Sequence, residues 1–239
     1  MTRATPRILA SSGGFVPTDT WGVLRPGAVV LRALELSAVQ RPKVLLVMTA
    51  SGDSPAYLSA TYAALASFGC DVDHLAVFPQ PNRPPADAIA SADVVWVGGG
   101  SVANLLALWR LHGIDEALHD AWQRGAVLAG VSAGSICWHV GGPTDSFGPH
   151  LRLAGHGLGL LPYGNGVHYD SEDQRRPLLH RLVADGSLPL SYATDDGAGL
   201  LYEGVEPVEV VVDAPGAAAY RIERVGGQVV ETILPAGRL

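Results

Sequence analysis

Cysteine is nearly absent. Cys70 and Cys137 are the only two in 239 residues, which excludes a disulfide framework and fits a reducing cytoplasm, the compartment expected for this chain. Charge is sparse, at 16% of residues, and it leans acidic: the formal net charge is −7, with no basic run. Such a chain lacks the electrostatic footprint of a nucleic-acid binder or of a protein that docks on an anionic membrane. Long apolar runs are missing as well. None approaches the roughly 18 uninterrupted residues of a membrane helix, and the apolar core of residues 1–14 is too short for a leader peptide. Metal-ligand spacings such as H-x-x-x-H and C-x-x-C do not occur, so neither metal nor cofactor is expected.

What the chain has in quantity is apolar sequence, 48% of it, punctuated by 29 glycines and 17 prolines. That is enough for one α/β domain spanning residues 1–239. Strands are expected at 7–11, 43–49, 73–78, 93–97 and 126–131; the stretch from Lys43 to Thr49 is the continuous apolar kind that is covered on both faces. Helical spacing falls at 27–39, 103–111, 114–124 and about 172–184, and Ser54-Pro55 reads as the cap and first residue of a helix reaching about Phe68. The stretches 79–85 and 141–148 are expected loops. Beyond 190 the pattern turns to short strands at 190–193, 199–202, 208–212, 218–222 and 229–233. Alternating strands and helices followed by hairpins predict a mostly parallel, doubly wound sheet with antiparallel C-terminal strands.

The chain is organised around Ala126-Val127-Leu128-Ala129-Gly130-Val131-Ser132-Ala133-Gly134-Ser135. An apolar strand runs into G-x-S-x-G, and a helix can follow. A sharp strand-to-helix turn needs small flanking residues and leaves the serine hydroxyl exposed at a helix N-terminus, where developing negative charge is favoured. In an open α/β sheet the chemistry gathers at the carboxyl ends of the strands, and three segments end there: Gly98–Ser101, Ser132 and His168. Of eight histidines, His168 is the one that ends a short apolar segment beside an acidic loop, with His156 as its local competitor. For an acid to orient it, Asp196 or Asp195 ends a later strand, and Asp145 and Asp170 are alternatives. The glycines 98–100 fit two readings. Gly98-x-Gly100-x-x-Ala103 matches a loose dinucleotide fingerprint, but the next strand ends at the serine rather than at an acidic residue, which favours a backbone amide donor for an oxyanion. The order Ser132, His168, Asp196, with no histidine after His180, disfavours an α/β-hydrolase.

Together, Val97-Gly98-Gly99-Gly100 before a helix, Gly130-Val131-Ser132-Ala133-Gly134, the histidine at 168 and the segment Ala193–Gly197 resemble the peptidase E family of serine dipeptidases, relatives of the cyanophycinases. The resemblance runs from the first strand to about Tyr202. It implies a fold like that of the class I glutamine amidotransferases, Ser132 as nucleophile and His168 as general base. It also implies Asp196 as the third member, with Asp195 or Asp145 as the alternative acid, and the amides of Gly100 and Ala133 as oxyanion donors. The substrate it implies is a small peptide, including N-terminal Asp-Xaa dipeptides, taken by a monomer or homodimer. An inactive or ligand-binding member of the fold is the alternative. Two departures stand out. Ser101 occupies a position where family members often carry asparagine. Glu172 falls where aspartyl-specific members place a carboxylate-binding arginine, with Arg175 and Arg176 three and four residues later; these four are the candidate substrate contacts.

Overall fold

The computed structural model describes residues 5–239; residues 1–4, part of the opening segment read above for a leader, lie outside the described residues. The centre is an eight-stranded sheet whose strands lie in the order Gly237–Arg238, Glu206–Val212, Ala198–Glu203, Arg7–Ser11, Val127–Val131, Val94–Val97, Lys43–Val47 and Asp71–Leu75. The last five are mutually parallel. Ala198–Glu203 joins them antiparallel through Arg7–Ser11, and the two strands outside it continue antiparallel. The expected mostly parallel sheet with an antiparallel C-terminal edge is therefore present.

The reason lies in the pattern of apolar residues. Successive residues of a strand face opposite sides, and a parallel sheet needs cover on both. Leu45 and Val47 join one buried cluster while Val44 and Leu46 join the other. The first cluster takes Leu105 and Trp109 from the helix Val102–His112 and Leu118 and Trp122 from Ile114–Arg124. The second takes Val29, Val30 and Ala33 from Ala28–Leu36 and Leu65 from Pro55–Ala66. Ser54 caps that last helix, its hydroxyl accepting from the Tyr57 amide at 3.4 Å, with Pro55 in the first turn.

A second, six-stranded sheet lies in the order Gln228–Leu234, Ala219–Val225, Ser191–Thr194, Gly164–Gly166, Gly141–Thr144 and Arg152–Gly155. The helix Arg175–Ala184 covers it, packing Leu178, Leu179 and Leu182 with Tyr169, Ala193 and Ile222. This sheet corrects the expected loop at 141–148, whose first four residues are a strand. Its glycines allow close approach. A Cβ on Gly142 would stand 2.0 Å from the Asn165 carbonyl oxygen, and one on Gly141 2.2 Å from that of Ala154. Two further elements had no sequence signal, the helix Pro85–Ala90 and the ribbon of Phe15–Pro17 with Leu24–Pro26. Among the described residues no helix is long and apolar enough to cross a membrane.

Candidate active site

Ser132 sits between the central strand Val127–Val131 and the short helix Ala133–Ile136, with φ 58° and ψ −112°. A non-glycine residue rarely adopts this conformation, so the surrounding structure must hold it there. It does so through the backbone. The Ser132 amide donates to the Ser11 carbonyl at 3.0 Å, and its own carbonyl accepts from Ser135 and Ile136 at 2.8 and 3.0 Å. The flanking glycines are demanded by contact: a Cβ on Gly130 would lie 2.4 Å from the Gly134 carbonyl oxygen, and one on Gly134 2.3 Å from that of Val97.

The neighbouring strand Val94–Val97 pairs Val97 with Gly130, so the chain leaving Val97 must emerge beside the elbow. Gly99 there approaches the Ser132 side chain; a Cβ on it would stand 3.3 Å from that of Ser132. Gly100 adopts φ 133° with the Ala50 backbone 2.2 Å from where a Cβ would be, which only glycine tolerates. The Ser101 amide bonds the Ala50 carbonyl at 2.9 Å, and its hydroxyl caps the next helix by accepting from the Asn104 amide at 3.2 Å. The amides of Gly100 and Ala133 donate to no acceptor among the described residues.

His168 arrives from the second sheet, directly after Gly164–Gly166, with φ 52°. Its amide donates to the Ser12 hydroxyl at 3.0 Å, and that hydroxyl donates to the Thr194 carbonyl at 3.0 Å. The imidazole Nδ1 lies 2.5 Å from Asp196 Oδ1. A carboxylate there keeps a proton on Nδ1 and leaves Nε2 as the acceptor. Partial burial works to raise the Asp196 pKa. Hydrogen bonds from His168 and Ser171, with the charges of His168 and Arg175, outweigh it and hold the carboxyl below its ordinary value.

Two of the alternative acids are occupied elsewhere. Asp195 is buried and accepts from the Ala218 amide and the Tyr220 hydroxyl at 3.1 and 3.0 Å. Asp170 accepts from the Asp196 amide at 2.8 Å. Asp145 makes no bond to His168, although both line the same cleft. His156 offers its carbonyl to Arg110, away from the elbow.

That cleft, about 380 Å³, is lined by Gly100, Ser101, Ser132, Asp145, Ser146, His168, Glu172 and Arg175. Arg175 is 3% exposed, with Nε donating to Glu172 at 2.7 Å and Nη1 to the Pro143 carbonyl at 2.6 Å. Arg176, also expected as a substrate contact, is not among the residues that line this cleft. Its guanidinium lies over the rings of Tyr169 and Tyr220, 4.6 and 4.9 Å from their centroids, and faces Glu231 at 3.8 Å. Consecutive helical residues point about 100° apart, so adjacent arginines serve different surfaces. Sequence reasoning missed Ser12, Ser146 and Ser171, single small residues whose roles come from distant contacts. A larger hollow of about 530 Å³, lined by Arg110, Asp115, Glu116, His119 and Asp120 among others, includes neither Ser132 nor His168. Among the described residues no three His, Cys, Asp or Glu converge to hold a metal ion.

A model of Peptidase family S51 matches residues 9–209, a span that contains every cleft residue named above. The chain belongs to that family. The uncharacterized peptidase YgaJ of Bacillus subtilis (strain 168) is 39% identical over 202 residues, 84% of this chain and 87% of that protein. A peptidase E of Shewanella denitrificans is 27% identical over 158 residues, 62% of this chain and 65% of its own. The crystal structure of a peptidase from an acI-B1 Actinobacterium superposes with a TM-score of 0.74 at 18% identity, covering 98% of this chain and 96% of that one, which shows that the two share a fold.

Proposed function

We propose that this S51 peptidase is a serine-type dipeptidase working through Ser132, His168 and Asp196. One observation carries the reading. A serine held in a strained elbow and a histidine bonded to a carboxylate open onto one cleft. Ser132 Oγ attacks the peptide carbonyl carbon and gives its proton to His168 Nε2, while Asp196 steadies the resulting imidazolium through Nδ1. The carbonyl oxygen becomes an oxyanion facing the amides of Gly100 and Ala133. As the C–N bond breaks, His168 delivers the proton to the leaving amine. Water, deprotonated by the same histidine, then releases the acid and restores Ser132. The cleft volume, about 380 Å³, lies within the range of small-molecule sites, which supports a short peptide as substrate.

The test is hydrolysis of a dipeptide panel (Asp-Leu, Glu-Leu, Ala-Leu, Leu-Leu) by the wild type and by Ser132→Ala. Cleavage by the wild type alone is expected, with the variant down by at least about a thousandfold. Equal activity in both proteins would remove Ser132 from the mechanism. Absence of any turnover, together with reversible peptide binding, would mark a ligand-binding member of the fold.

A further inference from the structure

The charged groups around Ser132 do not balance. Asp145 and Glu172 contribute two carboxylates to the cleft, and Asp196 stands behind His168. Arg175 is the one arginine or lysine in the lining, and its guanidinium is already committed: Nε to Glu172 and Nη1 to the Pro143 carbonyl, with the side chain 3% exposed. Glu172 is 42% exposed, so the carboxylate is the member of this ion pair that meets solvent. Asp145 is exposed and forms no ion pair among the described residues.

We propose that the cleft selects peptides whose acyl-side residue carries a basic side chain and rejects acidic ones, with Glu172 masking Arg175 and Asp145 supplying the unpaired attraction. The proposal rests on the serine-peptidase reading above and specifies its substrate. An acidic side chain entering here meets two carboxylates and a guanidinium whose charge Glu172 already balances, so its own charge is opposed rather than compensated. A lysine or arginine side chain meets Asp145 directly. Charge complementarity of this kind sets specificity between otherwise similar ligands.

The test uses reagents that need no turnover. A fluorophosphonate with an uncharged alkyl chain reports whether Ser132 is reactive: its oxygen bonds phosphorus, fluoride leaves, and His168 takes the proton. Three aminoalkylphosphonate diphenyl esters bearing the side chains of Lys, Ala and Asp then report selectivity: Ser132 Oγ bonds phosphorus, phenoxide leaves and His168 takes the serine proton, and the rate of the adduct is read by mass spectrometry. The wild type should react with the Lys reagent at least about tenfold faster than with the Asp reagent, and added salt should narrow that ratio. Glu172→Gln keeps an acceptor for Arg175 Nε while removing the charge, and should raise the Asp rate and cut the ratio several-fold. Asp145→Asn, at an exposed position that should not disturb folding, should lower the Lys rate more than the Ala rate and cut the Lys-to-Ala ratio several-fold. No adduct with the fluorophosphonate would overturn the serine reading and this proposal with it. Reaction with the fluorophosphonate but faster reaction with the Asp reagent, or a ratio unmoved by both variants, would overturn this proposal alone.

Discussion

Acidification from about pH 7 to about pH 5 should destabilise this protein through His139, and His139→Phe should abolish that share of the loss. His139 follows the elbow helix and is wholly buried, with Nδ1 2.9 Å from the Ser135 carbonyl, Nε2 3.5 Å from the Tyr202 hydroxyl and its ring edge-on to that of Tyr202. Burial lowers its pKa from 6.5 to about 4, against the smaller, opposite pull of the Ser135 carbonyl. The unfolded chain therefore takes up a proton as the pH falls through 6.5, and the folded chain only near 4. Between those values the unfolded state binds more protons, so stability is highest above 6.5 and declines toward 4. Each pKa unit is worth about 1.4 kcal/mol, which makes the whole shift about 3 kcal/mol, with about 2 kcal/mol of it falling between pH 7 and pH 5. Against a total stability of about 5–15 kcal/mol this is a large share. Urea unfolding of both proteins at both pH values measures it. The variant should lose about 2 kcal/mol less than the wild type on acidification, whatever its starting stability. Equal losses would show that His139 does not stay neutral in the fold, and the linkage argument would fail.

Two further outcomes concern the histidine. Asp196→Asn should lower kcat by about 10²–10⁴ by releasing the Nδ1 tautomer, whereas Asp195→Asn should chiefly lower stability, because its oxygen serves Ala218 and Tyr220. Steady-state kinetics beside thermal melts separates the two. Ser12→Ala removes the hydroxyl that accepts from the His168 amide and should reduce kcat with KM little changed, at a stability cost of about 1 kcal/mol. An unaltered kcat would deny Ser12 a positioning role.

The elbow was legible because its signal is local. Gly130 and Gly134 are glycines for contacts made within five residues and with one neighbouring strand, so the motif itself encodes the geometry. Four of the five parallel strands were legible for a related reason: residues that are apolar on both faces leave a continuous run, whereas the edge strand Asp71–Leu75, with polar residues at three of five positions, was expected at 73–78. The second sheet was legible only in its C-terminal strands, expected at 190–193, 218–222 and 229–233; its other half left no such trace. Gly141-Gly142-Pro143-Thr144 and Gly164-Asn165-Gly166 are poor strand formers by propensity, and only the tightness of strand-to-strand packing makes them strands. The choice between Asp195 and Asp196 was illegible as well. Neighbouring residues at a strand end face opposite sides, and sequence alone does not give the phase; pairing of Ala193 with Tyr220 and of Thr194 with Ala219 sets it, turning Asp195 toward Tyr220 and Asp196 toward His168.

The site is divided between the two sheets, and the joint between them therefore governs its chemistry. Ser132 and Gly100 belong to the carboxyl end of the eight-stranded sheet, while His168 and Asp196 follow strands of the six-stranded one. Neither half can act alone. Ser12 lies where they meet. Its amide donates to the Ala198 carbonyl at 2.8 Å, its carbonyl accepts from Gly197 at 3.2 Å, and its hydroxyl joins Thr194 to the His168 amide. One small residue at the end of the first strand thus ties together the turn carrying Asp196, the strand before it and the backbone of the histidine. A shift of the six-stranded sheet would move His168 and Asp196 together, keeping their 2.5 Å contact while changing their reach toward Ser132. Loss of the Ser12 hydroxyl should accordingly impair the proton transfer between Ser132 and His168 more than it impairs the His168–Asp196 pair, which is why its expected effect falls on kcat.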